Sequence, residues 1–121
     1  HLVLGVRTRE RLARLDYAFD VLRDLCLEND LITVDLVWRE DPVTFHARNP
    51  FPMGGVVEDP ATGAAAAAFG GYLRGLGIVT PPATITVLQG ADMGRPSRLT
   101  VELVSGSPGV RVSGTAAPIS A

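Results

Sequence analysis

From Ala64 to Phe69 every side chain is apolar, and the run continues through Gly70, Gly71, Tyr72 and Leu73. A helix with no polar face belongs inside a fold, so the rest of the chain is expected to wrap it. Its entrance reads Glu58-Asp59-Pro60-Ala61-Thr62-Gly63. Asp59 suits a cap with proline at the first helical position, and Thr62 before Gly63 suits one equally well. Either start leaves the amides of Thr62, Gly63 and Ala64 without partners inside the helix, where the helix dipole adds partial positive charge. Such an end can hold a carboxylate or phosphate with no Lys or Arg. It can equally be a buried helix start whose amides the protein itself satisfies.

A chain of 121 residues with 46% hydrophobic content is sized for one domain with a core, here 1–121. The formal net charge of −2 argues against capture of nucleic acid, which calls for a basic patch. One cysteine, Cys26, excludes an intramolecular disulfide or a cysteine-based zinc site, and suits a reducing cytoplasm. Its expected place is core packing. The longest apolar run is too short to cross a bilayer and no signal-peptide pattern opens the chain, so the expectation is a cytoplasmic, membrane-free protein. The chain opens at His1 directly on an apolar strand, as a processed chain or excised domain would.

Taken in order, residues 1–6 read as a strand, Thr8 caps a helical turn, and Asp20 is expected to cap a longer helix. That helix would bury Val21, Leu22, Leu25 and Cys26 and close at Asn29. Residues 31–38 and 43–48 both alternate and flank Glu40-Asp41-Pro42, which predicts a hairpin. His46 falls on the polar side of the second strand. Residues 49–55 hold two prolines and two glycines and read as a loop. Gly70 and Gly71 each cost about 1 kcal/mol in a helix interior, which predicts a close strand crossing. Gly75-Leu76-Gly77 ends the helix. Beyond Pro81-Pro82 the period is two at 84–88, 99–104 and 110–112, an antiparallel meander with a last edge predicted at 116–119. Arg95 and Arg98 suit turn bracing or solvent ahead of contact with an anionic ligand. The whole is an α+β domain: an antiparallel or mixed sheet rolled around a central apolar helix buried on all sides, with two N-terminal helices outside. The helix start would surface at the rim.

Glu58-Asp59-Pro60-Ala61-Thr62-Gly63, its alanine-rich helix, and then Gln89-Gly90-Ala91-Asp92-Met93-Gly94-Arg95-Pro96-Ser97 resemble the C-terminal half of the PhzF family of phenazine biosynthesis, whose fold is similar to diaminopimelate epimerase. The resemblance implies a diaminopimelate epimerase-like half and a proton-moving isomerase or epimerase without metal or organic cofactor. It places Asp59 in the active site as the catalytic residue of this half. It also implies a small carboxylate substrate bound at the amides around Gly63, with Thr62 and Ala64 beside it. In the family the aromatic–proline loop corresponding to 49–55 borders the cleft, which makes Phe51, Pro52 and Met53 candidates for apolar surface facing a partner. The principal acid/base glutamate of the family lies on an N-terminal half, so a separate half-domain or homo-oligomer partner is expected to complete the cleft. Ala64 stands where the family commonly has serine. The alternative is a non-catalytic carboxylate-binding or dimerisation module.

Overall fold

A computed structural model describes residues 1–119. Its strands are β1 (Leu2–Gly5), β2 (Val34–Asp41), β3 (Thr44–Phe51), β4 (Val56–Asp59), β5 (Ala83–Gln89), β6 (Ser97–Leu103) and β7 (Val110–Ser113). The helices are α1 (Arg9–Ala13), α2 (Phe19–Glu28) and α3 (Gly63–Gly75). One mixed sheet runs β1-β2-β3-β5-β6-β7, with β4 paired to β3. β1 is parallel to β2 and β3 is parallel to β5; the other pairs are antiparallel. The predicted 2–3 hairpin and the 5–6–7 meander are both present, and α3 makes the crossover between the parallel strands β3 and β5.

That crossover fixes where α3 begins. β3 and β5 finish at the same end of the sheet, and a helix joining them must start there and run back. On the α3 face the core is Val37, Phe45, Ala47, Ile85, Val87, Leu99, Val101 and Leu103 with Ala66, Phe69 and Leu73 from the helix. Phe69 meets Phe45 edge-on at 4.9 Å between centroids, the arrangement aromatic quadrupoles favour. An added Cβ on Gly70 would lie 2.7 Å from Val101 Cγ1, so a strand does cross closely there. Nothing approaches within 4 Å at Gly71, where the expected crossing is absent.

The helices α1 and α2 lie on the opposite face, where Leu15, Tyr17 and Leu22 meet Val34, Leu36 and Pro50. Thr8 caps α1 through its hydroxyl, which accepts from the Arg11 amide. Ala18, not Asp20, occupies the cap position of α2, without a side-chain hydrogen bond. Asp20 sits inside the first turn, where its charge still meets the positive end of the helix. Cys26 is fully buried while Val21 and Leu25 are exposed, so the inward stripe is rotated from the expected one. Asn29 closes the helix by donating to the Leu25 carbonyl at 2.8 Å.

Three other expectations are corrected. The helix α3 is not enclosed on all sides: Ala65, Ala66, Phe69, Gly70 and Leu73 are buried, while Ala64, Ala68 and Tyr72 form an exposed stripe. Alanine explains the misreading, because its small side chain costs little when wet and favours helix wherever it sits. Residues 49–51 are not loop but the end of β3, with Asn49 opposite Asp59 and Phe51 opposite Val56. The register shifts between them, at the level of Pro50, which is how a sheet accommodates a proline. Residues 114–119 form no strand.

Candidate functional site

Side chains on the α3 face change character along the strands. On β3 the inward series is Phe45, Ala47, Asn49, and on β5 it is Ile85, Val87, Gln89. On β2 and the residue preceding it, the series is Val37, Asp35, Thr33. Each is apolar in mid-sheet and polar at the end where α3 begins. Asn49 is 0% exposed and Gln89 3%, and burial at that level requires hydrogen-bond partners. The Asn49 amide nitrogen donates to Thr33 Oγ1 at 3.1 Å and towards Asp35 Oδ1 at 3.4 Å, while its buried Oδ1 has no partner among the described residues. Burial pushes the Asp35 carboxyl up to about 6, against the opposing pull of the Asn49 donor.

The acidic turn crosses this polar end. Asp59 closes β4, half-buried, and is not the helix cap. Thr62 holds the cap position, yet its hydroxyl does not cap: it donates to Asp59 Oδ2 at 2.7 Å. The amide of Thr62, expected to be free, donates to Gln89 Oε1 at 3.2 Å. The Ala66 amide opens the helix ladder on the Thr62 carbonyl. Among the described residues no acceptor meets the amides of Gly63 and Ala64, and both residues are exposed. The helix start therefore carries two residues exposed at the rim whose amides have no acceptor among the described residues, with Asp59 tied to the same turn through Thr62. Asp59 Oδ1 has only a long contact, 3.5 Å, from the Ala61 amide.

Glu58 points to other work. Arg48 holds it with two hydrogen bonds, Nε to Oε2 at 3.0 Å and Nη2 to Oε1 at 2.6 Å. Both side chains are nearly buried, at 11% and 9% exposure, and Arg48 also donates to the carbonyls of Leu12 and Ala13. The pair ties β3, β4 and α1 together, and its contact with Glu58 raises the Arg48 pKa. Asp92 Oδ2 joins the same cluster, 4.0 Å from Arg48 Nε and 2.8 Å from Arg9 Nη2. This bracing fixes the strand that delivers Asp59.

The Ser97 hydroxyl lies 2.9 Å from the Pro60 carbonyl and 3.1 Å from that of Gln89, its single hydrogen serving one or shared between both, and joins the acidic turn to the second motif. Gly90 lies at φ +86°, and a Cβ there would sit 2.1 Å from the Arg95 carbonyl oxygen, so only glycine fits. Beside this junction is a cavity of about 500 Å³ lined by Pro60, Ala61, Ser97 and exposed Arg95 and Arg98. His46 lies outside the site, 3.1 Å from Glu40 and tilted against Trp38. Pro52 is buried, Phe51 half-buried and Met53 exposed. Among the described residues no group of three or more His, Cys, Asp or Glu side chains is arranged to hold a metal. No helix there is long and apolar enough to cross a membrane.

Gln89, Asn49 and Asp35 have no role assigned from the sequence. Asn49 and Gln89 each fall in phase with the apolar side of an alternating strand, and that phase marks a buried partner rather than a wet one. Asp35 lies opposite the apolar series of Val34, Leu36 and Trp38, so its burial has no such signal.

A seven-stranded mixed sheet with α3 on one face and α1 and α2 on the other defines a class: α+β folds of the epimerase-like type. The chain belongs to the phenazine biosynthesis-like (PhzC-PhzF) family, whose pattern matches residues 1–121. It is similar to a predicted epimerase from Pseudomonas aeruginosa, at 30% identity and a TM-score of 0.71 over 91% of this chain and 37% of that one. A PhzF-family phenazine biosynthesis protein from Bacillus anthracis has the same fold, with 20% identity and a TM-score of 0.71 over 91% of this chain and 40% of that one. An uncharacterized isomerase from Mesorhizobium japonicum is 45% identical over 60 residues, 49% of this chain and 20% of that protein. The chain thus spans about two fifths of those two solved relatives.

Proposed function

We propose that this chain is the C-terminal half of an isomerase or epimerase that relocates a proton on a small carboxylate-bearing molecule. The amides of Gly63 and Ala64 take the carboxylate, and the α3 dipole stabilises charge that builds as the adjacent carbon loses its proton. Thr62 shapes the turn. Asp59 meets the substrate beside that carbon and serves as this half's catalytic carboxylate. The principal acid/base glutamate comes from an N-terminal half that faces this one across the cleft. The observation that carries the reading is the pair of amides without acceptors on the exposed residues Gly63 and Ala64, in the same turn as a carboxylate one of whose oxygens is already held. The relatives' names, a predicted epimerase and an isomerase, support it, as does their greater length.

The test uses the full-length protein, ¹⁵N-labelled and titrated with butyrate. The Gly63 and Ala64 amide resonances are expected to move first and furthest. Asp59→Asn is expected to slow exchange of substrate-carbon protons into deuterated water by a factor of about 10² or more, with the fold retained. Shifts centred elsewhere would refute the anion site. Binding at these amides with no proton exchange on any small carboxylate tried would favour a non-catalytic binding module.

A further inference from the structure

Gln89 occupies the last inward position of β5, where Ile85 and Val87 precede it on the same face. An apolar side chain would continue the core. A buried primary amide is retained at a cost unless each of its hydrogens and its oxygen is used. All of them are used on the acidic turn and none on the neighbouring strands. Nε2 donates to the Asp59 carbonyl at 2.8 Å and to Thr62 Oγ1 at 3.0 Å, and Oε1 accepts from the Thr62 amide at 3.2 Å. The amide cannot be turned over, because that would set donor against donor at Thr62 N and acceptor against acceptor at Asp59 O.

The consequence lies one bond further on. A hydroxyl has one hydrogen, and Gln89 already donates to the Thr62 oxygen. The Thr62 hydrogen is therefore left to point at Asp59 Oδ2, 2.7 Å away. With Oδ2 held by the Thr62 hydroxyl, Oδ1 is the oxygen left with no closer contact than the Ala61 amide at 3.5 Å. We propose that Gln89 is a positioning residue for Asp59: through the Thr62 hydroxyl it fixes the carboxylate and selects Oδ1 as the atom that meets the ligand. This rests on the anion site proposed above, and names a part of it that touches no ligand.

Two probes of similar size separate positioning from folding. Butyrate offers only a carboxylate, whereas 2-aminobutyrate adds an ammonium donor that Asp59 Oδ1 can accept. Affinities are read from the Gly63 and Ala64 amides of the full-length protein. The preference for 2-aminobutyrate over butyrate is expected to fall by about threefold or more in Gln89→Met and in Thr62→Val, to fall no further when both are combined, and to survive Thr62→Ser. The same preference in Gln89→Met as in the unsubstituted protein would overturn the proposal. Crystal structures give a second readout that needs no ligand. In Gln89→Met, or in Gln89→Glu should the first variant not fold, Thr62 Oγ1 is expected to leave Asp59 Oδ2. A retained contact of about 2.7 Å, within ordinary hydrogen-bond range, would overturn the proposal. If neither probe moves the Gly63 and Ala64 amides, the anion site fails, and the crystallographic distance still decides the role of Gln89.

Discussion

Replacing Asp35 with asparagine tests the polar end of the sheet through its pH dependence. Burial raises the folded-state pKa of Asp35 from 3.8 to about 6. The sign is therefore opposite to that of a salt-bridged aspartate. Below about pH 4 the carboxyl is protonated folded and unfolded, and it contributes no pH-dependent stability. Between about 4 and 6 the folded state holds the proton that the unfolded state has released, so stability falls by up to about 1.4 kcal/mol per pH unit. Above 6 the folded protein carries a buried charge, and the accumulated penalty levels off at about 3 kcal/mol. Asparagine is nearly isosteric and does not titrate. Urea unfolding of both proteins at intervals from pH 4 to 8 should give a difference that grows by about 3 kcal/mol in favour of Asp35→Asn and then stays flat. Any constant offset from altered hydrogen bonding to Asn49 leaves that slope untouched. A difference constant across the range would refute the claim that Asp35 is buried in its ionised form at neutral pH.

Two further outcomes are expected from packing and pairing. Arg48→Met leaves the Glu58 carboxylate nearly buried without its partner and should cost about 3–5 kcal/mol in denaturant unfolding; a loss below about 1 kcal/mol would show that solvent reaches the pair. Gly70→Ala should cost about 1–3 kcal/mol because its Cβ meets Val101 at 2.7 Å. Gly71→Ala, with nothing within 4 Å, should gain up to about 1 kcal/mol, so thermal midpoints of the two should move in opposite directions.

Local chemistry that acts within a few residues was legible in the sequence. The Thr8 cap, the hairpin around Pro42, the end of α3 and the 5–6–7 meander follow from residue type and spacing, and the structure has each of them. What escaped depends on distant partners. The roles of Asp59 and Thr62 at the helix start turn on Gln89, more than twenty residues away, which takes the Thr62 amide and orients its hydroxyl. The parallel pairing of β3 with β5 joins strands separated by the whole of α3, and no turn signal can announce it. The exposed stripe of α3 was hidden by alanine, which fits a core and a surface equally well. The stretch containing Pro50 was misread because a proline is compatible with a strand wherever the register slips, as it does here.

The gradient along the strands, from Phe45, Val87 and Val37 to Asn49, Gln89 and Asp35, divides labour within a single layer. Mid-sheet residues can exchange one hydrocarbon shape for another without disturbing the polar end. A change at the tips reaches the acidic turn instead, because Gln89 is bonded to Asp59 and Thr62 there. The two kinds of exchange fall on different rungs of the same ladder.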